Sequence, residues 1–337
     1  LLQRRPLGRP IVCILAKNQI MSHSIGIPSV DLNDFLSGNA EEKQAFVNAL
    51  GKAYEEIGFV ALKNHRLSDE LVAALYREVQ AFFNLPKEVK DHYEIEGIGG
   101  QRGYTGFGKE HAKGRNTGDL KEFWHFGQYV EDGDSIAAEY PDNVEVTHLE
   151  HFNSVGKEAY QTLEATGRDM LRAIALYLGL DENYFEAQVH NGNSILRPIH
   201  YPPITEEPKD AVRAAEHGDI NLITLLMGAS ADGLQVLNKA GEWIPVTALP
   251  GQIVVNVGDM MQRLTNNKLR STIHRVVNPP REKWSESRFS IPFFMHPRSE
   301  MPLNCLAECI DDQHPRLYDD ITAGEYLEER LREIGLK

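Results

Sequence analysis

Three short stretches carry residues whose types and spacing could do chemistry. His217-Gly218-Asp219 places an imidazole and a carboxylate two positions apart, directly before the apolar run Ile220 to Leu226. On a strand, residues two apart point to one face, so the pair offers two ligands to a divalent cation. A third ligand is available in Ser271 to Val277, where alternation sets Thr272, His274 and Val276 on one face and Ile273 and Val277 on the other. His274 follows Asp219 by 55 residues, enough chain for several strands and a return to the same place. Two histidines and one carboxylate on one side of a metal leave the remaining positions open, an arrangement suited to non-haem Fe(II). A lone histidine on an apolar strand is ordinarily a hydrogen-bonded core residue, so the weight rests on the three together. His148-Leu149-Glu150 has the same spacing, but it is read at the start of a helix, where positions i and i+2 diverge.

Arg288-Phe289-Ser290 opens another strand candidate, 14 residues after His274. Arg288 and Ser290 share its face. A guanidinium and a hydroxyl inside a barrel are costly without a partner, and a carboxylate satisfies both. That carboxylate is either an internal Asp or Glu or part of a bound ligand.

These residues need a scaffold. Asn39 and Glu42 have the spacing of a capping box, followed by Phe46, Val47, Leu50, Tyr54 and Ile57 at helical intervals. Gly58 to Leu62 reads as a short strand. Ser68 caps a second helix that Pro86 closes. Residues 91–150 are rich in glycine and charge, and a loop region this long is usually functional. A long helix then runs to Gly179, placed as a C-terminal cap. Beyond residue 190, short runs alternate with turns: 194–199, 220–227, 234–237, 253–257, 272–277 and 289–294. Many short, evenly spaced strands indicate a sandwich or barrel. Thr322 and Glu325 form a second capping box in a helical tail. The expected organisation is a disordered extension at residues 1–20, with Met21 as a natural start, and one domain from 21 to 337. That domain has a helical part to about 190, a β core at about 191–298 and a helical tail at 299–337.

The chain has 337 residues with 35 Lys+Arg against 49 Asp+Glu, a formal charge of −14. The acidic surface argues against a general nucleic-acid or membrane partner, since both would repel it. It leaves room for a small anion bound by one or two local cations. No run approaches the ~20 apolar residues of a membrane span. Three cysteines, with Cys305 and Cys309 four apart and Cys13 distant, read as free thiols in a reducing cytosol.

Taken in order, the motifs resemble the iron(II)- and 2-oxoglutarate-dependent dioxygenases of the isopenicillin N synthase-like superfamily. The resemblance runs from about Ile27 to Pro297. It is carried by Ile27 to Leu32, Gly58-Phe59-Val60 with Asn64-His65, Phe82 to Pro86, Gly103-Tyr104, His217-Gly218-Asp219, Leu264 to Asn267, His274-Arg275-Val276 and Arg288-Phe289-Ser290. It implies a mainly β fold with flanking helices around a double-stranded β-helix, the cupin-like jelly roll. It implies Fe(II) held by His217, Asp219 and His274, and 2-oxoglutarate whose far carboxylate is held by Arg288 and Ser290. Tyr201 matches a tyrosine that assists there, although Ile199 stands where many members have Asn. The implied reaction uses O2 and decarboxylates 2-oxoglutarate to succinate while a small-molecule substrate is hydroxylated, desaturated or cyclised. Substrate is expected against the loop region 99–125, with Arg102, Tyr104 and Phe107 as candidates; for Arg102 a surface charge is the competing reading.

Other functions fit part of the pattern. An isopenicillin N synthase-like oxidase would use no 2-oxoglutarate and grip a peptide carboxylate with the same Arg-x-Ser pair. That synthase carries a glutamine ligand near its C-terminus, and Leu331 to Lys337 contains none. A zinc hydrolase could use the same three ligands but leaves Arg288 unexplained. A non-enzymatic metal-binding barrel would have no need of a buried arginine beside them.

Overall fold

The computed structural model describes residues 27–110, 118–130, 133–208, 211–227, 233–246 and 250–333. The expected extension at 1–20 and the start at Met21 lie outside the described residues. Thirteen strands are present among them: β1 (Ser29–Asp31), β2 (Phe59–Lys63), β3 (Gly103–Thr105), β4 (Glu122–His125), β5 (Ile195–Leu196), β6 (Ile199–Tyr201), β7 (Ala214–His217), β8 (Ile223–Met227), β9 (Leu234–Leu237), β10 (Trp243–Pro245), β11 (Gln252–Val257), β12 (His274–Val276) and β13 (Arg288–Met295). They form two sheets among the described residues. The larger runs β1-β2-β11-β8-β13-β6-β4-β3, with β5 also on β13; the smaller runs β10-β9-β12-β7.

The sheets face each other across a small apolar layer. Phe59 and Val254 come from the large sheet, and Ala214, Val236 and Val276 from the small one. The other face of the large sheet is covered by α2 (Ala40–Glu56) and α5 (Phe152–Tyr177), on which α1 (Leu32–Leu36) and α3 (Asp69–Phe83) pack; α4 (Lys87–Asp91) and α6 (Glu186–Val189) are short helices of the same part of the chain. Two further helices follow, α7 (Asp259–Leu264) and α8 (Ala323–Glu333). The apolar stripes read from the sequence do the packing. Phe46, Val47, Leu50 and Tyr54 of α2 are buried, as are Leu71, Leu75, Val79, Phe82 and Phe83 of α3. Phe82 stacks on Phe152 at 5.0 Å and meets Trp124 at 4.9 Å. Truncating such a side chain costs about 3–5 kcal/mol. Both capping boxes form, at Asn39/Glu42 and Thr322/Glu325, and Ser68 caps α3. Gly179 takes φ +77°, the left-handed conformation that ends α5.

Several sequence expectations change. The 91–150 region is not only loop, because β3 and β4 extend the large sheet from within it. Strands from the part read as helical, β1 to β4, all belong to that sheet. The tail from 299 is irregular apart from a short 3₁₀ turn at Ala307–Cys309 and α8. His148 and Glu150 precede α5 rather than lying in it, and the His148 ring bonds the Tyr93 hydroxyl at 2.5 Å. His217 ends β7, whereas Asp219 lies beyond it, where the chain crosses from the small sheet to the large one. Strand alternation therefore does not explain why the two meet.

Candidate active site

What brings the three metal-ligand candidates together is the crossing and one cross-strand pair. β7 and β12 are antiparallel neighbours in which His217 stands directly opposite His274, with ring centroids 4.5 Å apart. The crossing then turns Asp219 back toward both rings. Its Oδ1 lies 3.9 Å from His217 Nε2 and 3.5 Å from His274 Nε2. One ligand atom from each residue falls within 4.8 Å of the others.

The remaining polar atoms of these side chains are occupied in a way that frees the converging ones. His217 Nδ1 donates to Ala215 O at 2.7 Å and His274 Nδ1 to Thr272 O at 3.1 Å. Those bonds fix the tautomer with an Nε2 lone pair directed at Asp219. Asp219 Oδ2 accepts from Thr224 Oγ1 at 2.6 Å and Asn256 Nδ2 at 2.8 Å, which leaves Oδ1 for the shared centre. Burial raises the Asp219 carboxyl, but the two imidazoles and Asn256 outweigh it and hold it below the usual carboxylate range. Burial lowers His274 while Asp219 outweighs it and raises it. His217 is lowered by lost solvent and then by His274, although its side chain keeps 41% exposure and forms the open edge of the cluster. Two imidazole nitrogens and a carboxylate oxygen suit a divalent first-row metal such as Fe(II).

Strand register connects this centre to a second group. Thr224 of β8 pairs with Phe294 of β13, so Phe294, Ser290 and Arg288 share the face that presents Thr224 to Asp219. Arg288 and Ser290 in turn pair with Tyr201 and Ile199 of β6. The Arg288 guanidinium is 1% exposed and lies 4.9 Å from the Tyr201 ring centroid. The sequence-derived Arg288, Ser290 and Tyr201 thus stand together on the metal-side face. A buried cation with a hydroxyl from the same strand face fits the far carboxylate of 2-oxoglutarate.

Of the three substrate candidates, Tyr104 and Phe107 are not brought there. Tyr104 pairs with Trp124 and points to the opposite face, where its hydroxyl donates to Glu122. Phe107 is 52% exposed and lines, with Tyr104, Ile95 and Lys90, an outer cavity of about 760 Å³. Arg102 is not a surface charge: it is 0% exposed and donates to Gln101 O and Gln128 Oε1.

On the metal side stand groups that the sequence does not single out. Phe123 of β4 packs with Ile199 and Tyr201. The Arg197 guanidinium lies 4.5 Å from the Phe123 ring and 5.2 Å from that of Phe294. Arg197 Nη1 pairs with Glu110 at 3.2 Å, and Arg197 Nε donates to His125 Nε2. Glu110 also takes Lys121 at 3.1 Å, which takes Asp119 at 2.9 Å. Burial pushes Glu110 up, but Arg197 and Lys121 outweigh it and hold it well below the carboxylate range. Lys121 in turn lowers His217, and Arg197 lowers His296, so the network faces the metal candidates electrostatically. In the sequence these residues look like ordinary surface charges, and no spacing signal distinguishes them.

Comparison with known proteins gives a consistent result. Residues 27–147 match the N-terminal region of a non-haem dioxygenase in morphine synthesis, and residues 192–297 match the 2OG-Fe(II) oxygenase superfamily. A 2-oxoglutarate-Fe(II) type oxidoreductase of Emericella nidulans is 30% identical over 314 residues, covering 88% of this chain and 87% of that protein. The crystal structure of a 2OG-Fe(II) oxygenase family protein from Caulobacter crescentus superposes with a TM-score of 0.83 at 42% identity, covering 91% of this chain and 99% of that one. A full-length Neurospora crassa protein, in complex with alpha-KG and thymine, gives 0.80 at 32% identity over 91% of this chain and 96% of its own.

Proposed function

Since the chain belongs to the 2OG-Fe(II) oxygenase superfamily, we propose that His217, Asp219 and His274 hold its ferrous ion and that Arg288, Ser290 and Tyr201 hold its cosubstrate. The fold is the double-stranded β-helix of that superfamily. The protein is a 2-oxoglutarate-dependent dioxygenase that uses Fe(II), O2 and 2-oxoglutarate on a small molecule. This sets aside the zinc hydrolase, the 2-oxoglutarate-independent oxidase and the non-enzymatic barrel. When bound, the metal and cosubstrate supply oxygen activation coupled to formation of succinate and carbon dioxide.

The chain's own residues do the positioning. Ala215 and Thr272 carbonyls hold both imidazoles in the ligating tautomer, and Thr224 and Asn256 aim the carboxylate. Arg288 orients the cosubstrate by its far end. The two sheets exclude water from the face between them. The observation that supports the metal assignment most strongly is the convergence of three donor atoms within 4.8 Å, each with its other polar atom already bonded.

Phe123 and Phe294 beside Arg197, Glu110 and His125 support a small, flat, polar substrate, in keeping with the thymine carried by the Neurospora crassa protein. The order of motifs supports the isopenicillin N synthase-like branch. A continuous apolar cluster from Val30 to Ala323 supports a single domain. Free Cys305 and Cys309 support a cytoplasmic setting; no described helix is long and apolar enough to cross a membrane.

The test is succinate formation with Fe(II), 2-oxoglutarate and a panel of pyrimidines and cyclic amino acids. His274→Ala is expected to lose tight Fe(II) binding and at least about 10³-fold in turnover, since only two protein ligands remain. Retention of full metal stoichiometry in that variant rejects the assignment.

A further inference from the structure

Arg288 is not the only guanidinium against the Tyr201 ring. Arg213, just before β7, is 2% exposed, and its guanidinium lies 5.9 Å from the same Tyr201 ring that carries Arg288 at 4.9 Å. Its Nη2 donates to Glu286 O at 3.0 Å, and its backbone N–H donates to Asn278 Oδ1 at 3.0 Å. Its Nε is buried with no hydrogen-bond partner among the described residues. Burial and then the like charge of Arg288 lower its pKa, while the anion that favours its charged form, Glu286, is an exposed side chain. Two cations buried near one another are costly unless an anion joins them. The unused Nε gives such an anion a donor.

We propose that Arg213 is a second guanidinium of the cosubstrate pocket, donating to the distal carboxylate of 2-oxoglutarate beside Arg288; this rests on the assignment of Arg288 to that cosubstrate. The pocket is then selective for a dicarboxylate, because two cations face the end that a monocarboxylic oxoacid lacks. A purely structural Arg213 would tie β7 to the 278–286 loop, and its loss would be felt equally by every oxoacid.

The experiment is anaerobic calorimetry of the Fe(II)-loaded chain with two probes, 2-oxoglutarate and pyruvate. Both carry the 2-oxo acid end; only the first has a distal carboxylate. Arg213→Gln is expected to weaken 2-oxoglutarate about tenfold or more and to leave pyruvate within about twofold, with circular dichroism unchanged. Arg213→Lys, which keeps the charge without the planar fork, is expected to reduce the ratio of the two affinities severalfold, and it decides the matter if the Gln variant does not fold. An unchanged ratio in the folded variants overturns the inference. Arg288→Gln is measured in parallel. If Arg288→Gln leaves 2-oxoglutarate binding intact, the pocket assignment itself is rejected. If Arg288→Gln weakens binding and Arg213→Gln does not, only the role of Arg213 is rejected.

Discussion

Two buried charge clusters sit back to back on the β4–β6 sheet, and they differ in how completely they are satisfied. On the helix side, Glu122 takes Lys90 at 2.7 Å, His200 Nδ1 at 2.7 Å and the Tyr104 hydroxyl. His200 Nε2 bonds Ser287 at 3.0 Å, and its ring stacks on Phe289 at 4.7 Å. Glu122, Lys90, His200 and Tyr104 are all hydrogen-bonded, with Lys90 donating in addition to Phe83 O at 3.2 Å. On the metal side, Glu110, Lys121, Arg197 and His125 are linked, but Thr105 Oγ1 beside them is buried without a hydrogen bond, and the Lys121 charge reaches the metal-ligand candidate His217 electrostatically. A saturated cluster holds the fold together. One with spare donors and acceptors next to a reactive centre has capacity left for a ligand.

The sharpest way to break this contrast is Glu122→Gln. It should cost about 3–5 kcal/mol in urea denaturation, because Lys90 is left buried beside a neutral group. Affinity for Fe(II) and 2-oxoglutarate should stay within about twofold, since neither ligand touches that cluster. Lost ligand affinity at unchanged stability would assign the helix-side cluster to function instead.

Glu110→Gln should destabilise by about 3 kcal/mol at pH 7 and also change the KM of an accepted substrate. Its pH dependence has a definite sign. The folded-state carboxyl lies below its unfolded value, so its stabilisation is present above the unfolded value of about 4.3 and is lost as pH falls toward the folded one. Urea midpoints between about pH 5 and about pH 2 should fall less steeply in the variant. Parallel slopes would remove Glu110 from the acid response.

Asn256→Ala takes one hydrogen bond from Asp219 Oδ2 and should weaken metal binding about 10–100-fold in a chelator competition. The smallest effect belongs to Tyr104→Phe, about 1.5 kcal/mol of stability with KM unchanged. A KM shift there would restore Tyr104 as a substrate residue.

What is legible in the sequence is the part built on local patterning. His274 and Arg288 stand out because polar residues on otherwise apolar strands break an alternation that the eye can follow. The helices α2 and α3 show themselves through their stripes and caps. The strands β3 and β4 stay hidden because Lys121 and Glu122 are buried in ion pairs and His125 in a hydrogen bond with Arg197, so this stretch carries the texture of a surface loop. Arg213 and Arg197 stay hidden for the same reason: burial of a charge depends on a distant partner, and no local spacing announces it. For His217 and Asp219 the spacing points to two residues that do meet, but for an incomplete reason, since a crossing between sheets, rather than a strand, joins them.

The pairing of His217 against His274 sets the spacing of the proposed metal donors through the backbone ladder itself. A slip of one residue between β7 and β12 would turn one imidazole to the opposite surface and abolish chelation in a single step. Correctly threaded chains are the ones able to capture the ion, and capture then biases the population against mispaired forms. On the metal assignment proposed above, protein made under iron starvation is expected to contain more slipped, non-chelating molecules.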